Sequence, residues 1–360
     1  MTRVGFLALQ APGLSPSQRY RVEAFGARLA ARGITLRYDW VLDAEDLRAF
    51  YGRGNVAGKA MVAARAAIRR LGSIARARDV DVWLVQREAF FLGGAWSEWL
   101  AGLSAPVVFD FDDAIWIRAT SAANARFARL KNVDKVATIV GRARSVVAGN
   151  EYLAAWARLH SPSVVVVPTC VDTDVFAPDG SRRRDAPVTI AWSGSASTVA
   201  HLAQVLPVLE RVQARYGERV KVRVMGDPAF AHQPLGLRGE AWSQQSEMAL
   251  LRTMDIGLMP LPDDEWTRGK CGLKGLVSMA MGAASVMSPV GVNNEIVEPG
   301  VNGFLPSSAD EWYDVLCRLI DNPRLRGRVG AAGRQTVVDH YSVAQWEGTL
   351  AATLLRAAAT

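Results

Sequence analysis

The stretch TCVDTDVFAPDGSRRRDAPVTIAWSG, residues 169–194, decides how the chain is organised. Its first part, up to Pro187, is polar, contains proline and glycine and carries three consecutive arginines, as linkers commonly do. Its last part, VTIAWSG at 188–194, is a short run that predicts a new strand. A chain of 360 residues is also long for one hydrophobic core. The sequence therefore predicts two domains joined by a linker at 171–187.

Short apolar runs alternate with helical patterns on both sides of this linker. The predicted strands before it are 4–9, 35–41, 80–86, 106–111, 145–149 and 163–168, and those after it are 188–194, 220–226, 255–261, 284–288 and 302–307. Many of them are nearly continuous in Val, Ile and Leu, which indicates parallel strands covered by helices on both faces.

We therefore predict an α/β protein with two doubly wound parallel-sheet domains, at 1–170 and 188–340. Such domains bind ligands beyond the carboxyl ends of their strands, so a ligand is expected in a central cleft that the two domains face. Residues 341–360 are expected to form a C-terminal helix that could pack back on the N-terminal domain.

Composition favours a globular protein of the reducing cytoplasm. Hydrophobic residues make up 50% of the chain and charged residues 21%. The three cysteines, Cys170, Cys271 and Cys317, are too few and too scattered for a disulfide framework or a zinc site. The N-terminus has the pattern of a strand and not of a signal peptide, and no apolar window is long enough to cross a membrane. The protein is expected to be cytoplasmic, or peripheral at the inner face of the membrane.

Residues 51–78 are strongly basic and contain no acid. The basic residues are Arg53, Lys59, Arg65, Arg69, Arg70, Arg76 and Arg78, and an apolar stripe of Met61, Ala64, Ile68 and Leu71 recurs at helical spacing. One interpretation is a solvated helix face. The other is attraction to an anionic surface, either phospholipid headgroups or a phosphate-bearing acceptor. Nucleic acid is not expected, because no recognised binding motif accompanies the charge.

Two stretches could bind phosphate. In GKCGLKG, residues 269–275, the lysines Lys270 and Lys274 and the backbone at Gly272 and Leu273 lie at the start of a predicted helix, where N–H groups attract anions. Lysine opposes the helix dipole at that position, so the pattern favours a diphosphate site over a solvated helix start. In WSGSAST, residues 192–198, Gly194 and the hydroxyls of Ser195, Ser197 and Thr198 could contact the same phosphates or merely cap a helix.

The run from DIGLMPLPDDEWTRGKCGLK through SMAMG to SPVGVNNEIVEPGVNGFL, within 255–305, resembles the donor-binding half of GT-B glycosyltransferases of retaining family four. The segments VVFDFDDAIW (107–116), VVAGNEYLA (146–154) and VVVVPTCVDTDVFAP (164–178) are similar to further parts of that family, so the resemblance covers nearly the whole chain. It implies the GT-B fold, two Rossmann-like domains with the nucleotide-sugar donor bound mainly by the second one. It also implies that no cofactor and no obligatory metal is needed.

Both glutamates that this family usually carries near the donor are missing from the motif. Val277 stands where the resemblance implies a ribose-binding glutamate, and Gly269 stands where it implies a sugar-contacting one. Asp263, Asp264 and Glu265 are the nearest substitutes, unless they form a plain acidic turn. Glu295 matches a glutamate position of the family, although it and the neighbouring Asn293 and Asn294 could equally be ordinary helix-start residues.

On the acceptor side, Asp110, Asp112 and Asp113 end a predicted buried strand, where carboxylates are costly without partners or substrate. Asp112 occupies the position of the family's cleft-facing histidine, so Asp112 and Asp113 are the catalytic candidates, orienting an acceptor hydroxyl or taking its proton. Metal binding by the D-x-D pattern is the rival interpretation. Arg19, Arg21 and Arg87 also follow predicted strands and could line the acceptor side or form surface ion pairs, as could Gln86 and Glu88.

The resemblance implies a retaining transferase that moves a sugar from a nucleotide sugar to an acceptor hydroxyl, in cell-envelope glycan or glycolipid synthesis. A catalytically inactive GT-B domain that acts as a binding or scaffolding subunit is the alternative, since both motif glutamates are missing. A dinucleotide-dependent oxidoreductase is disfavoured, because APGLSPSQ at 11–18 replaces the glycine-rich fingerprint after the first strand.

Overall fold

The computed structural model describes residues 1–52, 56–117, 133–180, 186–196 and 198–359. It divides into two compact units. The first, here the N-terminal unit, comprises Met1–Thr169 and Trp346–Thr360, and the second, the C-terminal unit, comprises Cys170–Gln345.

The N-terminal unit is built on a parallel sheet. Its strands are β1 (Thr2–Leu7), β2 (Ile34–Tyr38), β3 (Val82–Gln86), β4 (Val107–Phe111), β5 (Ser145–Ala148) and β6 (Val164–Val166). Their order in the sheet is β2-β1-β3-β4-β5-β6, and each neighbouring pair is parallel. All residues of β3 and β4 are buried, as expected for strands covered on both faces. The chain leaves β1 toward β2 and then returns to β3 on the other side of β1, so the topological switch point lies between β1 and β3.

The helices of this unit are α1 (Pro16–Arg21), α2 (Gly26–Ala31), α3 (Ala44–Tyr51), α4 (Val56–Arg76), α5 (Trp96–Gly102), α6 (Lys135–Arg142) and α7 (Glu151–Arg158). The last helix, α15 (Val343–Ala358), contributes to it from residue 346 onward. Glu347 on α15 forms ion pairs with Arg28 at 3.2 Å and Arg32 at 2.9 Å, which tie the helix to α2 and its end.

The C-terminal unit has a second, mostly parallel sheet. Its strands are β7 (Val188–Ser193), β8 (Val220–Met225), β9 (Ala231–His232), β10 (Leu237–Glu240), β11 (Ile256–Met259) and β12 (Ala284–Met287). Their order is β12-β11-β7-β8-β10-β9, with only the β10–β9 pair antiparallel among the described strand pairs. The helices are α8 (Leu206–Tyr216), α9 (Gln244–Thr253), α10 (Glu265–Arg268), α11 (Leu273–Ala280), α12 (Asn293–Ile296), α13 (Ala309–Asp321) and α14 (Pro323–His340).

The predicted α/β class and the two parallel-sheet units are confirmed, but some strand predictions were wrong. Residues 302–307 form no strand; a bridge at Phe304 pairs with β12, and Pro306 cannot donate to a ladder. The short β9 and β10 were not predicted, because LRGE at 237–240 lacks the β-branched pattern of a strand. Within the predicted linker at 171–187, Val171 and Phe176 are buried and belong to the C-terminal unit. The three consecutive arginines lie outside the described residues.

The basic segment contains the long helix α4, and its arginines have unequal roles. Arg70 is fully buried and donates to the carbonyl oxygens of Ala8, Asp39 and Ala89 at 2.6–2.9 Å, and burial lowers its pKa to about 10. Arg65 and Arg69 both pair with the buried carboxylate of Asp46. These three arginines therefore hold the helix in place, and Arg53 lies outside the described residues.

The apolar stripe of α4 points away from the core. Val62 and Ala66 are buried, whereas the predicted stripe residues Met61, Ile68 and Leu71 are 64%, 70% and 47% exposed. The helix therefore packs through Val62 and Ala66, and the stripe that the sequence pattern indicated stays exposed. No helix in the described parts of the chain is long and apolar enough to cross a membrane.

Candidate functional site

The lysine-rich stretch lies at the carboxyl end of the C-terminal sheet, between β11 and α11. Gly272 precedes α11 with φ +71°, a left-handed conformation that favours glycine. A Cβ atom there would also collide with the side chain of Ile296. Lys274 is in the first turn of the helix, whereas Lys270 lies before it, so the two lysines are not on one helical face. The last six residues of α11 are buried, which anchors this turn to the sheet.

The serine-rich turn after β7 meets this helix start directly. Thr198 Oγ1 accepts hydrogen bonds from the backbone N–H of Ser195 at 3.0 Å and from Lys274 Nζ at 3.2 Å. Gly194 is required at the turn, because a Cβ atom there would collide with the Trp192 ring. The two stretches that could bind phosphate, 76 residues apart in sequence, are thus brought together. Ser197 lies outside the described residues.

Cations and aromatic rings accumulate at this junction. Lys274 Nζ lies 4.5 Å from the centroid of the Trp192 ring, and Lys270 Nζ lies 5.6 Å from that of Trp266. Burial lowers the pKa of His201, and the charges of Lys274 and Lys270 lower it further, whereas Asp264 opposes them. Both lysines therefore act electrostatically on one imidazole. Sequence reasoning missed His201, although its position three residues after Thr198 was a usable signal.

Two of the three acidic residues before α11, Asp263 and Asp264, are engaged in contacts within the protein. Asp264 caps α10, since its carboxylate accepts from the Thr267 backbone N–H at 2.8 Å. Asp263 pairs with Arg268 at 2.7 Å, and Glu265 is exposed in the first turn of α10. Val277, at the position where a ribose-binding glutamate was expected, is buried and 6% exposed.

Glu295 and Asn294 lie on the short helix α12 and are both exposed. The Asn294 amide donates to the Gly291 carbonyl oxygen at 3.2 Å. Gly291 approaches the backbone of Arg268 so closely that a Cβ atom there would collide with the Arg268 carbonyl oxygen. The loops that follow α10 and precede α12 therefore adjoin, which places Glu295 on an element beside the lysine-rich stretch.

In the N-terminal unit, Arg21 is not available to a ligand as the sequence suggested. Its side chain is 1% exposed and forms an ion pair with the equally buried Asp110, and it also donates to the Val167 carbonyl oxygen at 2.5 Å. Burial raises the pKa of Asp110 and the Arg21 charge opposes this rise. The pair therefore satisfies the first aspartate of the D-x-D pattern inside the core. Arg19 is half-buried against Tyr20.

Asp112 and Asp113 lie at the carboxyl end of β4 in a polar cluster with Ser17, Gln86 and Arg87. Ser17 donates to Asp112, and the Gln86 amide lies 3.3 Å from the other Asp112 oxygen. Arg87 pairs with Asp113 at 2.9 Å. Arg87 has φ +65°, the one positive value of a non-glycine residue in the described ranges. Such backbone strain is concentrated at functional sites.

A pocket of about 220 Å³ opens beside this cluster, at the β1/β3 switch point of the N-terminal sheet. Its lining is polar and includes Gln10, Gln18, Gln86, Arg87, Glu88 and Lys135. Lys135 is buried, donates to the Phe90 carbonyl oxygen at 2.7 Å and pairs with Glu88 at 2.6 Å. Polar groups buried this way line the position at which doubly wound sheets bind ligands.

Within the described parts of the chain, no group of three or more His, Cys, Asp or Glu side chains is placed to hold a metal ion. The junction of Lys274 with Thr198 offers cations, and the cluster at the end of β4 offers the carboxylates of Asp112 and Asp113, which contact Ser17 and Arg87.

Comparison with known proteins identifies relatives of this arrangement. Residues 187–322 match the family model described as glycosyl transferases group 1. An MMP α-(1→4)-mannosyltransferase of Mycolicibacterium hassiacum is 27% identical over 204 residues, which cover 52% of this chain and 46% of that protein. The chain thus spans about half the length of this curated relative.

Solved structures share the fold over nearly the whole chain. Sucrose-phosphate synthase of Thermosynechococcus elongatus matches with a TM-score of 0.70 and 14% identity. The match covers 99% of this chain and 100% of the synthase chain. Anabaena HepE in complex with UDP matches with a TM-score of 0.64 and 14% identity, over 99% and 100% of the two chains. At such low identity these structures establish the fold alone.

Proposed function

We propose that the chain transfers a sugar from a nucleotide-sugar donor to an acceptor hydroxyl, because residues 187–322 match the model of group 1 glycosyl transferases and a mannosyltransferase is 27% identical over 204 residues. The observation that carries this proposal is the contact of Lys274 Nζ with Thr198 Oγ1, which joins two stretches suited to phosphate. The relative that is a mannosyltransferase supports a hexose as the transferred group.

In this proposal the donor diphosphate lies against Lys270, Lys274 and the N–H groups at Gly272 and Leu273. Gly194 and Ser195 contact it from the turn after β7. Cations fixed at this point stabilise the negative charge that develops as the nucleoside diphosphate leaves. The exposed side chains of Glu265, Glu295 and Asn294 are the candidates for contacting the sugar or nucleoside. Asp264 is a further candidate, through the carboxylate oxygen that does not accept from the Thr267 backbone N–H.

The acceptor is proposed to bind the N-terminal unit near Asp112, Asp113 and Arg87. Asp112 and Asp113 would orient the attacking hydroxyl or take its proton, and Arg87 orients Asp113 through their ion pair. Arg19 remains a candidate at the edge of this region. Retention of the anomeric configuration is what membership of retaining family four would imply, with no obligatory metal or cofactor.

An envelope or lipid-linked acceptor is proposed from the exposed face of α4. The stripe of Met61, Ile68 and Leu71 is bordered by Arg65 and Arg69, which pair with Asp46 and Asp43, and α4 itself contains no acidic residue. An exposed apolar helix face with a basic border fits an anionic membrane surface. We accordingly propose a peripheral location at the inner face of the cell membrane.

The experiment that tests the function is incubation of purified protein with a panel of UDP-, GDP- and ADP-sugars, followed by mass spectrometry of released nucleoside diphosphate. Donor hydrolysis or transfer with any member is the expected result. A Lys270→Ala/Lys274→Ala double variant should lose that turnover, which excludes a contaminating enzyme. No turnover across the panel would contradict the proposal and favour an inactive subunit that binds or scaffolds.

A further inference from the structure

His201 belongs to the junction at which Lys274 meets Thr198. It lies in a 3-10 helix, Val199–Gln204, that follows the turn after β7. The His201 backbone N–H donates to the Thr198 carbonyl oxygen at 3.1 Å, which closes one turn of that helix. Thr198 is the N-cap of this helix, and since a 3-10 helix has three residues per turn, His201 lies one turn after it on the same side of the helix. That side carries the Thr198 hydroxyl that accepts from Lys274.

In the described part of the chain, the His201 imidazole forms no hydrogen bond. It is half-buried, while Leu202 and Val205 on the other faces of the helix are fully enclosed in the core. The charged groups that act on His201 are Lys274 on α11, Lys270 before it and Asp264 at the start of α10. Two cations and burial favour the neutral imidazole, and one carboxylate does not outweigh them, so its pKa lies below the ordinary value of 6.5.

A diphosphate bound between the lysines would reverse this balance. It would bring two or more negative charges to the same face, and an opposite charge within hydrogen-bonding range favours the protonated imidazole. The proton would come from solvent and go to the free ring nitrogen, and no covalent bond would change.

We propose that His201 is a third cationic ligand of the donor diphosphate, neutral in the free protein and protonated when the nucleoside diphosphate is bound. This inference rests on the proposed function, because it places the diphosphate at Lys270 and Lys274. It adds a regulatory property to that site: the affinity for the nucleoside diphosphate rises as the pH falls through neutrality, so product release is favoured at higher pH.

The test is calorimetric titration of the full chain with UDP and GDP in buffers of different ionisation enthalpy. We expect net proton uptake on binding near neutral pH, and an affinity that increases about threefold to tenfold between about pH 8 and about pH 6.5. His201→Gln should remove most of the uptake and flatten the pH profile. His232→Gln is the matched control, because His232 is in the same unit but pairs with Glu210 at 2.7 Å; it should leave both unchanged.

The terminal phosphate of the ligand titrates near pH 6 and contributes its own pH dependence, which the His201→Gln profile measures directly. NMR titration of the histidine C–H resonances in the unmodified protein provides a second measurement, since only four histidines are present. One resonance should shift its pKa upward when UDP is added. Binding without proton uptake, or an unchanged profile in His201→Gln, would overturn this inference and leave the proposed function standing. Failure of every nucleoside diphosphate to bind would contradict both.

Discussion

At the scale of residues, the donor side of this protein depends on a few long side chains that converge from separate loops. Lys274 reaches Thr198 and the Trp192 ring, and Lys270 lies near Trp266. A lysine at a helix start opposes the dipole unless an anion accompanies it. The energetic role of these lysines is therefore expected to appear in binding and not in stability.

Lys270→Ala should weaken UDP or GDP binding by about 1.5–3 kcal/mol, the usual contribution of a hydrogen bond to a charged group. Isothermal calorimetry measures this directly. The exposed Lys221 on β8 is the control, and Lys221→Ala should leave the affinity unchanged. Equal affinities of Lys270→Ala and the unmodified protein would exclude Lys270 from the diphosphate site.

At the scale of elements, the entrance to α11 is set by backbone geometry. Gly272 has φ +71°, and a Cβ atom at this position would collide with the Ile296 side chain. Any residue other than glycine would therefore be strained at the entrance to α11. The adjoining loop before α12 depends on Gly291 in the same way. Substitution at either glycine would move the N–H groups that the donor is proposed to contact.

Gly272→Ala should therefore lower the free energy of unfolding of the C-terminal unit by about 1–3 kcal/mol, because it adds backbone strain and a collision. The shift can be followed as a lower thermal midpoint in calorimetry of the full chain. Gly327→Ala, inside α14 with no atom near its added Cβ, is the matched control and should be neutral or stabilising. A midpoint for Gly272→Ala equal to that of Gly327→Ala would contradict this account of the turn.

At the scale of the whole molecule, the exposed face of α4 offers a surface that neither unit uses for its own packing in the described chain. Its apolar stripe lies beside Arg65 and Arg69, which pair with Asp46 and Asp43, on a helix whose own charged residues are all basic. An anionic membrane surface would bury that stripe and attract the basic residues of the helix.

Cosedimentation with vesicles tests this surface. We expect binding to vesicles of phosphatidylglycerol and phosphatidylcholine that exceeds binding to phosphatidylcholine alone. Ile68→Asp should reduce the former about tenfold or more, since burying an isoleucine contributes about 1.5–3 kcal/mol. Leu159→Asp is the control, because Leu159 is 76% exposed, against 70% for Ile68, but lies at the end of α7. Equal sedimentation with both kinds of vesicle, or no effect of Ile68→Asp, would contradict a membrane role for α4.

The sequence by itself determined the class of the fold and the stretches suited to phosphate. Alternation of buried strands with helices is a local pattern, and so is a lysine at a helix start, so both can be recognised without knowing what packs against them. The alternation of strands and helices predicted the approximate positions of most strands. It did not predict the short strands β9 and β10, which lack the β-branched pattern.

Only the tertiary structure decided which charged groups neighbour one another. It enclosed Arg21 with Asp110, turned Arg70 into the core, and brought Thr198 and His201 to Lys274. The physical reason is that a partner 76 residues away leaves no periodic trace in the chain, because its position depends on the order and packing of the strands between them. Charge, burial and therefore pKa at the candidate site are consequences of that packing.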